Sequence, residues 1–364
     1  MGPPAPLSLL DELGARAGRS VLFLIDGVWS APPQRFDRRV RALAAALAGF
    51  DLPAGGRVAV LGEEGHDTLV AHLGVLAAGG VLVPLDPARS TDSLRAALES
   101  SGATHAIASD ERRLATILKL RPDLPSLEMV LLMSAAPSER KPAALLAESA
   151  MQMGDGLLQS DPELLRRAIA AEGASSAALL IAPGSGERGV VSRDALAALC
   201  DATGNALGVG AGRTVLMDLP VERPERLAIV LAAADRGGTV LVATGGRPDS
   251  GLTDFPPVGA ALDTAALDRL SAAWDSDLAA RAWLRRSIAG WSLRQGRKGA
   301  ESGWRHRLAE VMVLRGLRAQ LGGRLSGIHV PAGTRPPERA SELLNAVGIG
   351  LLELPGRKRP GMAR

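Results

Sequence analysis

Tyrosine is absent from this chain of 364 residues, and the other aromatics are few, 5 Trp and 4 Phe. Chemistry that needs a phenol is therefore excluded, and the core has to be built from Ala, Leu and Val. A single cysteine, Cys200, leaves no internal disulfide and no cysteine-based zinc cluster. The 5 His, at positions 66, 72, 105, 306 and 329, show no H-x-x-x-H pairing, so no metal site is expected. Only Lys119, Lys141, Lys298 and Lys358 could serve lysine chemistry, because every other basic residue is Arg. Long apolar runs are missing too. The best stretch, 69–85, is broken by His72, Gly79, Gly80 and Pro84. The opening MGPPAPLSLLDELGARAG has no basic region leading into an apolar one, so no signal peptide is expected. A cytoplasmic protein follows as the expectation.

What is present is the composition of a globular protein, 46% hydrophobic and 22% charged, with a length that suggests two lobes. The net charge of +3 is unevenly spread. Residues 281–324 carry 11 Arg and Lys against 2 acids, the tail 354–364 is basic, and the first 280 residues are net acidic.

Apolar runs alternate with helix-period segments. Helices are expected near 36–50, 67–78, 91–100 and 193–203, and strands at 57–61, 81–85, 104–108, 129–133, 177–181 and 214–217. Strands separated by helices predict parallel βαβ units and an α/β fold. One unit is echoed. Residues 55–83, from GGRVAVL to AAGGVLV, resemble 210–242, from GAGRTVLM to RGGTVLV, in turn, strand, helix, Gly-Gly stop and strand. Duplicated βαβ lobes with mostly parallel sheets are one reading. The other is that any two such units look alike in an Ala/Leu/Val-rich chain. The expected layout is a first lobe over 1–133, a linker with one helix over 134–175, a second lobe over 176–353 and a basic tail over 354–364.

A glycine-rich loop follows the apolar run 177–181. Its Gly184, Ser185, Gly186, Arg188 and Gly189 could bring backbone N–H groups close to a phosphate. Taken literally, Gly184-x-Gly186-x-x-Gly189 is a dinucleotide fingerprint, which would make the chain an NAD- or nucleotide-binding module. That motif should open a helix directly, whereas Val190 and Val191 extend the loop before the next helix. A turn that binds nothing is the competing reading.

Together with its surroundings the loop resembles the N-terminal subdomain of AMP-forming long-chain fatty acyl-CoA ligases, members of the adenylate-forming enzymes. The resemblance runs from about Phe36 to Glu353. HLGVLAAGGVLVPLDP, residues 72–87, is similar to the first core motif of that family, and DPELLRRAIAAEGASSAALLIAPGSGERGVV to the approach to its phosphate loop. The basic stretch 293–325, ending in Leu321-Gly322-Gly323-Arg324-Leu325, is similar to a segment of the long-chain ligases. The resemblance implies a large α/β subdomain and an activity that joins a carboxylate to ATP. The departures fall where it implies chemistry. The family loop is Thr-Ser-Gly-Thr-Thr-Gly-x-Pro-Lys-Gly, and here it is two residues shorter, with Arg188 for Lys. Arg193 stands near a family His, and Pro220-Val221-Glu222-Arg223 replaces Pro-Leu-Ala-His. The magnesium-binding Tyr-Gly-x-Thr-Glu motif aligns with Pro355-Gly356-Arg357-Lys358-Arg359, where a cation replaces the acid. The chain ends before the family's Thr-Gly-Asp motif and its C-terminal subdomain, so a truncated form without cofactor is the expectation. ATP or AMP would bind through the loop if at all.

Within the basic segment, Trp283, Arg285, Arg286, Trp291 and Arg294 fall in an expected helix, 278–294, with one apolar face. The readings are a structural hairpin with solvated arginines, a peripheral contact with anionic membrane, and nucleic-acid binding, which lacks stacking aromatics and ranks last. Three functions follow: a pseudoenzyme of the acyl-CoA ligase type that binds a fatty-acyl ligand or a protein partner, an active ligase completed in trans, and the nucleotide module.

Overall fold

The computed structural model describes residues 21–356 apart from 26–27, 31–32, 64, 135–143, 172, 174–175, 183–188, 244–251, 253–254 and 281–314. In chain order the strands are β1 (Val21–Ile25), β2 (Val28–Ser30), β3 (Arg57–Leu61), β4 (Val81–Leu85), β5 (His105–Ala108), β6 (Met129–Leu132), β7 (Leu145–Leu146), β8 (Ala177–Ile181), β9 (Gly189–Ser192), β10 (Thr214–Asp218), β11 (Thr239–Ala243), β12 (Gly259–Leu262), β13 (Gly327–Val330) and β14 (Gly350–Glu353). The helices are α1 (Pro33–Gly49), α2 (His66–Ala77), α3 (Thr91–Ser101), α4 (Glu111–Leu120), α5 (Ala147–Ser160), α6 (Leu164–Ala170), α7 (Arg193–Ala206), α8 (Pro224–Arg236), α9 (Thr264–Ala280), α10 (Arg315–Gln320) and α11 (Glu338–Ala346).

Two compact bodies result. Among the described residues, 33–198 and 220–235 form the first, and 21–30, 199–219 and 236–356 the second. The described residues of 134–175, expected as a linker with one helix, include β7, α5 and α6 and fall in the first body. Each body holds one seven-stranded sheet. The first has the order β7-β6-β5-β3-β4-β8-β9 and the second β14-β13-β12-β10-β11-β1-β2. Adding seven to a strand number, and counting past fourteen back to one, converts one sheet into the other. The described strands thus form two seven-strand repeats, and the duplicated α/β architecture is present. The hairpin that leads each repeat pairs in the other repeat's sheet: β1 lies parallel to β11, and β8 parallel to β4. Within each hairpin the strands are antiparallel, and all other pairs are parallel.

The central strands read as unbroken apolar runs because both faces are covered. All five residues of β4, VLVPL, are buried. The helices that cross between central strands are buried nearly all round for the same reason. Ten residues of α2 and eleven of α8 are buried. On one face of the first sheet, Leu94, Leu98, Leu114 and Ile117 of α3 and α4 complete the core. In the second sheet Leu267, Leu270 and Trp274 of α9, Leu317 of α10, Leu321 just after it, and Leu343 and Leu344 of α11 do so. Helices α1 and α5 approach closely because residue 154 is glycine. A Cβ there would lie 1.9 Å from the Ala42 carbonyl oxygen.

The expected Leu-Gly-Gly-Arg-Leu stretch is a helix exit. Gly322 and Gly323 have φ of 80° and 71°, a backbone that favours glycine, and they turn the chain from α10 toward β13. Arg318 holds the carbonyl of Val347 at the end of α11 through Nε at 3.0 Å and Nη2 at 2.5 Å. This end of the basic segment is therefore structural. No described helix is long and apolar enough to cross a membrane.

Candidate functional site

Open parallel sheets offer ligands the carboxyl ends of their strands. In the first sheet the carboxyl end of β4 runs into Asp86-Pro87-Ala88-Arg89, a turn that secures itself. Asp86 Oδ1 accepts from the Ala88 N–H at 2.8 Å, and the Arg89 N–H donates to the Asp86 carbonyl at 3.2 Å. Ser90 then caps α3, its Oγ accepting from the Ser93 N–H at 3.2 Å. Asp86 thus sits at the carboxyl end of β4.

Glu222 reaches this turn from the segment after β10. Its Oε1 accepts from the Asp86 N–H at 2.9 Å and from Arg89 Nε at 2.6 Å, and its Oε2 from Arg89 Nη2 at 3.0 Å. The two side chains are 7% and 9% exposed, so the pair is nearly dry. Such a pair is costly to break, because either partner alone would be a buried, uncompensated charge. Next along the chain, α8 carries Arg226, fully buried, with Nη1 3.4 Å from Nδ1 of the equally buried His72 of α2. Burial first, and the nearby guanidinium second, hold His72 well below the ordinary imidazole value. His72 is therefore neutral at physiological pH. In the second body, Asp218 closes β10 and pairs with Arg269 Nη2 at 2.7 Å. Burial raises its pKa, and the Arg269 charge opposes the rise.

The phosphate-loop candidates divide. Gly184, Ser185, Gly186 and Arg188 lie outside the described residues, whereas Gly189 opens β9 opposite Ile181, with φ of 144°. Their flanks differ from those of a dinucleotide loop, which opens a helix directly. Residues 183–188 join two antiparallel strands rather than a strand and a helix, and α7 starts only at Arg193. The β-branched Val190 and Val191, expected as loop, continue as strand β9. Arg193 is 4% exposed and its Nη2 approaches the Gly80 carbonyl at 3.4 Å, at the amino end of β4. It is therefore about 20 Å along the strand from Asp86, at roughly 3.3 Å per residue. The surface candidates Trp283, Arg285, Arg286, Trp291 and Arg294 lie outside the described residues, as does the basic run from Arg357.

Sequence reading missed two features. Glu222 stood out only as a departure, and nothing local pointed to Arg89, 133 positions away. A cavity of about 510 Å³ also opens in the first body between α1, α5 and the start of α2, lined by Arg38, Arg39, His66, Glu148, Gln152 and Asp155 among others. Its cations are engaged: Arg38 with Asp155 at 2.7 Å and Arg39 with Asp67 at 2.6 Å. Burial pushes the Asp67 carboxyl up, but His66 and Arg39 together bring it below its ordinary value.

Against known proteins, residues 34–181 match the family described as AMP-binding enzyme. A stretch of 115 residues is 38% identical to naringenin synthase of Pestalotiopsis fici, covering 32% of this chain and 4% of that one. A stretch of 109 residues is 28% identical to the long-chain-fatty-acid–CoA ligase FadD15 of Mycobacterium bovis, covering 30% and 18%. Among solved structures, a candidate long-chain-fatty-acid CoA ligase of Rhodopseudomonas palustris superposes with a TM-score of 0.66 at 15% identity, covering 95% of this chain and 73% of that one. The adenylation domain of a carboxylic acid reductase of Segniliparus rugosus, solved with AMP and a carboxylic acid, gives 0.66 at 14% identity, covering 97% and 60%. At these identities the likeness is one of fold, that of the N-terminal lobe of adenylate-forming enzymes.

Proposed function

We propose, starting from a chain whose residues 34–181 are an AMP-binding enzyme domain, that this acyl-CoA synthetase-like protein works by binding a ligand or partner and does not form acyl-adenylates. One observation carries the reading. At the carboxyl edge of the first sheet, the position a substrate would use is filled from within, by Glu222 on Arg89 and Asp86. The described residues also suit a magnesium–nucleotide poorly. Magnesium needs uncommitted oxygen ligands, and at these strand ends the Glu222 and Asp218 carboxylates are already paired with arginines. In sequence, Arg188 stands for the loop lysine and Arg359 for the magnesium-binding acid. No reaction step through ATP is therefore derived.

A fatty-acyl ligand and a protein partner are the binding functions that suit this scaffold. A contact of 283–294 with anionic membrane would extend the first of these. The competing reading, an active AMP-forming fatty acid–CoA ligase, draws on the 28% identity with FadD15. Pyrophosphate–ATP exchange separates the two. The full chain with a long-chain fatty acid should exchange no faster than a protein-free control. Fatty-acid-stimulated exchange that Arg188→Ala abolishes would overturn the proposal.

A further inference from the structure

The β4–α3 turn has the form of a receptor for a carboxylate. Three donors, the Asp86 N–H and the Nε and Nη2 of Arg89, converge on the two oxygens of one carboxyl group at 2.6 to 3.0 Å. This matches the bidentate fork by which a guanidinium grips a carboxylate. Bonds that do not involve Glu222 also shape the turn. The Asp86–Ala88 and Arg89–Asp86 bonds fold the backbone. Arg89 Nη1 is steadied from its far side by Ser93 Oγ at 3.1 Å, and Ser93 is itself tied to the cap Ser90. The occupant arrives from elsewhere, on a turn closed by the Arg223 N–H on the Pro220 carbonyl at 3.0 Å.

We infer that this turn is a preformed binding site for a small monocarboxylate, and that Glu222 is a tethered occupant keeping it closed to free ones. The tether gives Glu222 a high effective concentration at the site, so free carboxylate cannot compete in the native chain. Shortening Glu222 to alanine removes a CH₂ and a carboxylate, which together have the shape of acetate, and leaves the three donors facing the space. The inference does not rest on the proposed function. Exchange activity would overturn that reading and leave this one standing, and the experiment below bears only on the turn.

The probe is acetate, titrated against chloride at constant ionic strength and followed by thermal unfolding and by saturation-transfer NMR of the acetate methyl. Glu222→Ala should show a saturable rise in melting temperature and a saturable NMR signal, and the native protein neither. Arg89→Ala in the Glu222→Ala background should weaken acetate binding about tenfold or more, since it removes two charge-assisted bonds. If Glu222→Ala is recovered unfolded from chloride buffer, its refolding yield is the readout, and the yield should climb with acetate and level off. A Glu222→Ala protein that responds to acetate no differently from chloride, folded or refolding, overturns the inference. So does a native protein that binds acetate equally well.

Discussion

Strands β4 and β11 hold corresponding places in the two sheets, and each is followed by a different piece of chain. After β4 comes a tight turn, a serine cap and an amphipathic helix, and the turn carries an ion pair. After β11, no helix lies among the described residues before β12. The crossing helices α2 and α8 also correspond, and both are buried. Yet one contributes a neutral histidine and the other a buried arginine at their contact. What the repeats share is thus apolar periodicity and strand order, and what distinguishes them is the polar equipment of their turns and helix starts. Fold and site are specified by different residues, so a fold-level likeness is a weak guide to chemistry.

That comparison can be broken most forcefully at Trp274. The second core is built around this fully buried indole, whereas the first is filled by Leu, Ile, Val and Ala. Trp274→Ala should cost about 3–5 kcal/mol in denaturant unfolding. A loss below about 1 kcal/mol would mean that the second core does not depend on it. Trp274→Phe should cost far less, because the indole Nε1 has no hydrogen-bond partner among the described residues.

In the first body the matching weak point is a close approach. Gly154→Ala drives a methyl into the Ala42 carbonyl and should cost about 2–3 kcal/mol by forcing α1 and α5 apart. Gly65→Ala, where a Cβ would meet nothing within 4 Å, should be nearly neutral. Equal melting temperatures for the two variants would refute the packing argument.

A smaller, pH-dependent effect belongs to Asp37 of α1. Burial lifts its pKa from 3.8 to about 6, against the pull of Arg41. The folded state therefore holds this proton more tightly than the unfolded chain. The resulting stabilisation is complete below about pH 4 and is lost as pH rises through about 6. Asp37→Asn should stabilise the protein at pH 8 by about 1–3 kcal/mol, and that gain should vanish near pH 4. Urea unfolding at the two pH values checks it; a gain independent of pH would rule out titration as its cause.

Least affected should be the edge of the second sheet. Leu352 of β14 is 51% exposed, and Leu352→Gln should change stability by no more than about 0.5 kcal/mol. A larger loss would show that this edge is covered.

Strands β3, β4 and β8 could be placed to the residue from sequence, because an apolar run bounded by turn residues has few other readings once both faces are buried. The echo of the βαβ units was legible for the same reason. Strand β12 was not, since GAAL has little β-propensity and becomes a strand only through its neighbours β10 and β13. The β1–β2 hairpin was missed because its partner, β11, lies far along the chain. The site followed this division. The end of strand 81–85 was legible, whereas the pairing of Glu222 with Arg89 depends on a fold that no local pattern encodes. The α9 helix escaped notice because its signal is spread over seventeen residues with charges on the other face.

The exchanged hairpins also set a timetable for the growing chain. Val21 finds its partner in Val240, about 220 residues later. At roughly 5–20 residues per second, a ribosome needs about 10–45 seconds to supply that partner. Throughout that interval β1, bonded to β2 on one side, keeps its other edge open, and such edges invite wrong partners, including the same strand on a neighbouring chain. The second sheet thus takes in a hairpin made long before its central strands, and the first sheet waits for β8 and β9, so each repeat depends on part of the other to complete its sheet.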